Sequence, residues 1–153
     1  MEKVHLLGVR EHLAHPTRFD GSDTMGLRIA GAAGLLVSAA VHLFMWFDGV
    51  RDQSVGPMFM VNAVSGVVIA GLILGWRHWI PAFLTLGFGA ATLGAFVIAS
   101  TVGLLGVHTR WEGFSVFTAA ASEIVCIVAG AALLVRARVA TRPAPHGVLR
   151  PNH

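Results

Sequence analysis

The chain has 153 residues, of which 55% are hydrophobic and 12% charged, and its mean hydropathy is +0.71. This balance lies outside that of ordinary soluble domains and indicates an integral membrane protein. The formal net charge of +3 does not predict nucleic-acid binding, because the basic residues flank apolar runs and no basic run has interleaved aromatic residues.

The segment before the first apolar run is short and polar. Leu6, Val9 and Leu13 would share one face of a helix, which predicts a short interfacial helix ending at Pro16. A disordered tail is the alternative, because so short a helix is marginal without a surface. A secretory signal is not expected, because the first apolar run begins late and is too long for a signal core. Residues 1–24 are therefore predicted to form a cytoplasmic tail.

Four apolar runs follow, each long enough for a transmembrane helix, which needs about 20 residues. They are Gly26 to Phe47, Pro57 to Trp76, Ile80 to Gly106, and Gly113 to Val135. None alternates polar and apolar residues as barrel strands do. Their short connections make consecutive helices antiparallel neighbours. The predicted fold is an all-α, up-down-up-down four-helix transmembrane bundle over residues 25–136, followed by a disordered cytoplasmic tail, residues 137–153.

The flanking charges predict the orientation of the bundle. Nine Arg and Lys residues fall on the side of the termini, and only Arg51 and Arg110 fall on the other side. By the positive-inside rule both termini are cytoplasmic. Tryptophans at both predicted interfaces agree with this arrangement. Ten arginines against one lysine suggest a GC-rich bacterium, so the expected location is a bacterial cytoplasmic membrane.

Small residues at four-residue spacing predict the faces on which the helices pack. Such residues let backbones approach closely in membranes, where they are common at helix–helix interfaces. They also leave room for a membrane-protein partner or for homo-oligomerisation, beside the contact of the bundle with the lipid bilayer. The predicted faces carry Gly34 and Ser38, Gly66 and Ala70, Gly87 and Ala91, and Ala119, Glu123, Cys126 and Gly130.

A polar cluster is predicted in the outer half of the bundle. Glu123 lies about 15 Å below the outer end of the fourth helix, and His42 about 9 Å below that of the first, at 1.5 Å per residue. Side chains tilt toward the N-terminus of their own helix, so in antiparallel helices these two lean toward each other. The same construction adds residues at similar depth, which are Asn62, Thr101, Ser38 and Ser122.

This cluster has two readings at the level of sequence. In the structural reading, a neutral Glu123 carboxyl donates a hydrogen bond to His42 or Asn62 and fixes the register of the helices. In the functional reading, the cluster is a site open to the outer face that binds a proton-coupled ligand, a quinone-like head group or a partner helix. The two readings share residues and differ in the access of water.

Metal and haem sites are further alternatives. His42 and His108 occupy similar settings in "VHLFMWFDG" and "VHTRWEG", and two histidines are the axial ligands that a b-type haem requires. His108, however, lies nearer the interface than His42. Copper could use His42 with the soft ligands Met45, Met58 and Met60. No cofactor is predicted outright, and haem b and copper remain alternatives.

No catalytic signature occurs: there is no phosphate-binding loop, nucleophile elbow or zinc-type His/Glu pair.

The chain resembles small four-helix membrane proteins of high-GC Gram-positive bacteria. The resemblance is carried by the stretch "HLFMWFDGVRDQSVGPMFMVNAVSGVVIAGLIL" and by the Gly-rich third and Glu-bearing fourth helices that follow it. The resemblance covers residues 25–135. It implies the fold and the cytoplasmic membrane, and it assigns no catalytic residue. The sequence therefore predicts a non-enzymatic accessory or partner-binding membrane protein, with a small haem- or copper-binding redox protein as the alternative.

Overall fold

The computed structural model describes residues 22–140. Within them, four helices are each long and apolar enough to cross a membrane. They are α1 (Ser22–Phe47), α2 (Gly56–Gly75), α3 (Trp79–Thr101) and α4 (Phe114–Ala140). A single 3-10 turn, Val50–Asp52, lies between α1 and α2. The predicted all-α four-helix bundle is confirmed. The predictions for residues 1–21 and beyond 140 lie outside the described residues.

The helices form an up-down bundle that is closed on three of its four sides. α1 packs along both α2 and α4, and α3 packs along α4, whereas α2 and α3 contact each other only sparsely. The loops α1–α2 and α3–α4 meet at one end, called here the two-loop end. The α2–α3 loop lies at the opposite end, called here the terminal end, together with the start of α1 and the end of α4.

Glycines set the three tight interfaces. A Cβ on Gly66 would lie 2.9 Å from the Leu35 carbonyl oxygen, and one on Gly34 would lie 3.0 Å from the Ser122 carbonyl oxygen. A Cβ on Gly130 would lie 2.6 Å from the Leu86 nitrogen. Because a real Cβ does not approach backbone atoms so closely, glycine is what allows these helices to pack in contact.

The packing face of α3 differs from the predicted one. Gly87 and Ala91 are exposed, and a Cβ on Gly87 would meet no atom within 4 Å. The residue that meets α4 is Gly89, where a Cβ would lie 2.5 Å from the Glu123 carbonyl oxygen. The predicted packing face of α3 is therefore wrong, because the small residues of this helix occur on more than one face and their spacing does not distinguish the faces.

Three helix ends also differ from the prediction. α1 begins at Ser22 and so includes the last three residues assigned to the N-terminal tail. α3 ends at Thr101, five residues before the predicted limit of its apolar run, because Gly103 adopts a positive φ of 85° and turns the chain back. α4 continues to Ala140 and so includes the first four residues assigned to the C-terminal tail.

At the terminal end, Arg28 of α1 joins α1 to the end of α2. Its guanidinium donates from Nε to the Ile73 carbonyl and from Nη2 to the Leu74 carbonyl, both at 2.7 Å. These two carbonyls belong to the last turn of α2, where helical partners are missing. Arg28 is 3% exposed. Arg28, which the sequence analysis uses only in the count of flanking charges, therefore also caps the C-terminal end of α2.

Candidate functional site

Glu123 and His42 lie opposite each other between α4 and α1. Glu123 Oε1 is 4.0 Å from His42 Nε2, and the two residues are 3% and 8% exposed. This distance exceeds that of a hydrogen bond. The two groups are close enough to share a bridging atom, and each keeps unused hydrogen-bonding capacity.

The orientation of the His42 ring is set one turn earlier on α1. His42 Nδ1 is 2.8 Å from the Ser38 carbonyl oxygen and 3.3 Å from Ser38 Oγ. A carbonyl oxygen only accepts, so Nδ1 carries the proton in this contact. In the neutral ring Nε2 then has a lone pair directed toward Glu123. The imidazole is also held by Phe59 of α2, whose ring centroid lies 5.2 Å away.

A cavity of about 380 Å³ extends from this pair toward the two-loop end. Its volume falls within the range of about 300–1,000 Å³ that small-molecule sites occupy. Phe59, Phe96 and several small aliphatic residues form its walls. The polar side chains that the four helices contribute to its lining are His42, Asn62, Thr92 and Glu123.

The mouth of the cavity is built from the two loops. Leu104 and Val107 exchange backbone hydrogen bonds of 2.8 Å around Leu105 and Gly106, which both have positive φ. This pattern is that of a tight hairpin turn. Ser54 of the other loop donates to the Leu105 carbonyl at 2.8 Å, so the two loops are joined.

His108 follows this turn and reaches the mouth. Its ring lies over Gly103, where an added Cβ would be 2.6 Å from Cε1. The lack of a side chain at Gly103 therefore makes room for the imidazole. Arg110 also lines the mouth, and its guanidinium lies 3.7 Å from the Glu112 carboxylate.

Of the other residues predicted for the polar cluster, one lines the cavity and three do not. Asn62 lines the cavity, and its amide makes no side-chain hydrogen bond to any described residue. Ser38 is buried behind His42, and Ser122 Oγ donates to the Ala119 carbonyl at 2.7 Å. Thr101 is exposed near the end of α3 and donates to the Val97 carbonyl at 2.8 Å, away from the cavity.

Thr92 is the site residue that the sequence reasoning missed. It is 7% exposed, lies beside the Glu123 carboxyl, and its hydroxyl donates to the Phe88 carbonyl at 2.8 Å. Thr85, also buried, precedes it by seven residues. This two-turn spacing of threonines was the available signal for the inward face of α3.

The residues considered for metal or haem are partly brought together. His42, His108, Met45 and Met58 all line the cavity, and Met60 does not. Among residues 22–140, no group of three or more His, Cys, Asp or Glu side chains is arranged to hold a metal ion. In comparisons with protein-family models, curated proteins and solved structures, nothing matches this chain.

Proposed function

We propose that this chain is a non-enzymatic accessory protein of a bacterial cytoplasmic membrane that binds a small uncharged molecule in the cavity at its two-loop end. The observation that carries the proposal is the facing pair Glu123 and His42, 4.0 Å apart at the inner end of a cavity of about 380 Å³. An ionisable group inside the apolar part of a membrane bundle is costly, so a pair without a direct hydrogen bond favours a further partner.

The lining favours a neutral ligand that carries oxygen atoms on an apolar body. The Glu123 carboxyl, when protonated, and the Asn62 amide can donate, while His42 Nε2 and the Asn62 oxygen can accept. Phe59 and Phe96 supply apolar and aromatic walls. The lining does not favour an anionic ligand, because Arg110, the basic side chain at the mouth, already lies next to the Glu112 carboxylate.

The charge distribution supports placing the two-loop end outside the cell. Nine basic residues accompany the termini and the α2–α3 loop, and two lie in the loops around the cavity mouth. In this orientation the ligand is reached from the outer side.

A binding experiment tests the proposal. The probe is tetramethylbenzoquinone, a fully substituted ring whose two carbonyl oxygens can contact the donors of Glu123 and Asn62. We expect saturable binding in equilibrium dialysis to the detergent-solubilised protein, and binding at least tenfold weaker for Glu123→Ala. Asp48→Ala, which removes an exposed loop carboxylate that does not line the cavity, serves as the control and should bind as the wild type does. Equal binding by all three proteins would count against the cavity as the site.

Copper or haem binding is the second candidate, favoured by the presence of His42, His108, Met45 and Met58 around one cavity. The bond from His42 Nδ1 to the Ser38 carbonyl resembles the outer contact that orients metal-ligating histidines. Protein purified without added metal should then show a Soret band or contain bound copper by elemental analysis. A colourless preparation free of copper would reject this candidate.

A further inference from the structure

The sparse contact between α2 and α3 leaves a groove along the side of the bundle. It has a volume of about 240 Å³ and is lined mainly by apolar and small residues, among them Ile69, Phe83, Gly87 and Ala91. Because four helices of this length span the bilayer, this side of the bundle faces lipid. The groove therefore opens toward the membrane interior, whereas the cavity has its mouth at the two-loop end.

The groove and the cavity are neighbours that share two lining residues. Asn62 of α2 and Thr92 of α3 line both of them, and Glu123 lies on the cavity side of this junction. The Asn62 amide, with no hydrogen bond to a described side chain or backbone group, stands where the polar cavity gives way to the apolar groove. One molecule could thus contact the polar groups and the groove at the same time.

We propose that the cavity and the groove together bind one single-chain lipid of the quinone or quinol class, with its ring in the cavity and its chain between α2 and α3. This inference rests on the proposed function and adds the chain and its route. The carbonyl oxygens of the quinone ring would accept from Glu123 and Asn62, and the hydroxyls of the quinol would donate to His42 Nε2 and the Asn62 oxygen. Only binding is proposed, with no electron transfer.

The dimensions favour a flexible chain over a partner helix as the occupant. Two turns of an α-helix, about 11 Å long and 10 Å across, occupy on the order of 800 Å³. A helix of that volume would lie on the rim of a groove of about 240 Å³ and would not enter it. An alkyl or isoprenoid chain is narrow enough to enter it. The polar side chains of its lining are Asn62, Ser65 and Thr92, and two of them, Asn62 and Thr92, also line the cavity.

Gly87 offers a way to fill the groove without disturbing the cavity. A Cβ there meets no atom within 4 Å, so a leucine side chain can extend into the groove while the backbone stays in place. Gly71 of α2 is the matched control, because it is also an exposed helical glycine with open space around its Cβ and does not line the groove. The two substitutions, Gly87→Leu and Gly71→Leu, add the same side chain.

The experiment compares two probes that differ only in their chain: tetramethylbenzoquinone, and the same ring with one methyl group replaced by a decyl chain. Equilibrium binding to the full-length protein in detergent is measured for the wild type, Gly87→Leu and Gly71→Leu. We expect Gly87→Leu to weaken binding of the decyl probe at least tenfold and to leave binding of the ring alone within twofold. Gly71→Leu should bind both probes as the wild type does.

The outcomes separate this inference from the proposed function. Binding of the ring alone that depends on Glu123, together with decyl-probe binding that is unchanged in Gly87→Leu, would overturn the chain site and leave the cavity site standing. Failure of the wild type to bind either probe would overturn both. A second copy or a partner helix in the groove would appear as Gly87→Leu dissociating an oligomer or complex while binding of the decyl probe is unaffected, and this result also contradicts the proposal.

Discussion

Glu123 shows how a carboxyl is accommodated within a membrane bundle. Its side chain is almost fully buried, yet one side of it borders a cavity that leads to the two-loop end. Thr92 of α3 and His42 of α1 are its polar neighbours. Side chains from three helices therefore meet at this point, and a substitution at Glu123 should change the stability of the whole bundle.

Two substitutions of Glu123 should separate the contribution of its polar contacts to stability from the contribution of its size and shape. We expect Glu123→Ala to lower the free energy of unfolding by about 0.6–2 kcal/mol, the scale of interhelical hydrogen bonds in membranes, because it removes the polar contact with Thr92 of α3 and the 4.0 Å approach to His42 of α1. Glu123→Gln should cost less, because an amide of similar shape still donates and accepts. Reversible unfolding in mixed micelles, followed by circular dichroism, measures both. If Glu123→Ala proves as stable as the wild type, the carboxyl does not hold the helices together.

Arg28 gives a second test on the same scale. Arg28→Met removes both donors from the last turn of α2 and leaves the carbonyls of Ile73 and Leu74 without them. Hydrogen bonds to charged groups contribute about 1.5–3 kcal/mol, so we expect a loss on the order of 2 kcal/mol in the same unfolding assay. Arg77→Met, which removes an exposed arginine at the same end, should change stability by less than about 0.5 kcal/mol. Equal effects of the two substitutions would contradict the capping role.

The sequence predicted some site residues and missed others for definable reasons. Depth along the helices and side-chain tilt placed Glu123 near His42, since both quantities follow from regular helix geometry. The rotation of α3 about its axis does not follow from depth, so depth alone predicts Thr101 as a cluster residue and does not identify Thr92. Arg28 was counted as a flanking charge, because no local pattern indicates that a side chain reaches the end of another helix.

At the scale of the element, α3 differs most from its prediction. Its hydrophobic residues surround the helix, so their pattern gives little indication of which stripe faces the bundle. Small residues occupy two stripes: Gly89 lies against α4, and Gly87 and Ala91 lie beside the groove. The contact with α4, which only a glycine permits, decides between them.

Two alanine substitutions on α3 test this assignment. Gly87→Ala should be neutral or stabilising by up to about 1 kcal/mol, because alanine is the better helix former and its Cβ has open space. Gly89→Ala should destabilise by about 1–3 kcal/mol, because its Cβ would press on the backbone of α4 at Glu123 and force the helices apart. Thermal unfolding of the two variants in the same detergent provides the comparison. A reversed order would show that the predicted face was right after all.

At the scale of the whole molecule, the fold was predictable and its open side was not. Four apolar runs with short connections leave little choice but an antiparallel bundle. Whether the fourth side closes depends on how far α2 and α3 separate, which neither hydropathy nor connection length determines. The groove and its junction with the cavity at Asn62 and Thr92 therefore become visible only in three dimensions.

The orientation of the bundle decides which side of the membrane the cavity serves. Nine basic residues lie in or beside the segments of the terminal end, and two lie at the other end, so we expect the two-loop end to face outward.

Cysteine labelling tests this orientation. The native Cys126 is fully buried, so the wild-type protein should not react and serves as the control. Asp52→Cys, exposed between α1 and α2, should react with a membrane-impermeant maleimide on intact cells. Arg77→Cys, between α2 and α3, should react only after lysis, because it lies on the cytoplasmic side. The substitution should not change the orientation, since eight basic residues remain on that side against two on the other. The opposite labelling pattern would place the cavity mouth in the cytoplasm, and any ligand would then have to reach it from inside the cell.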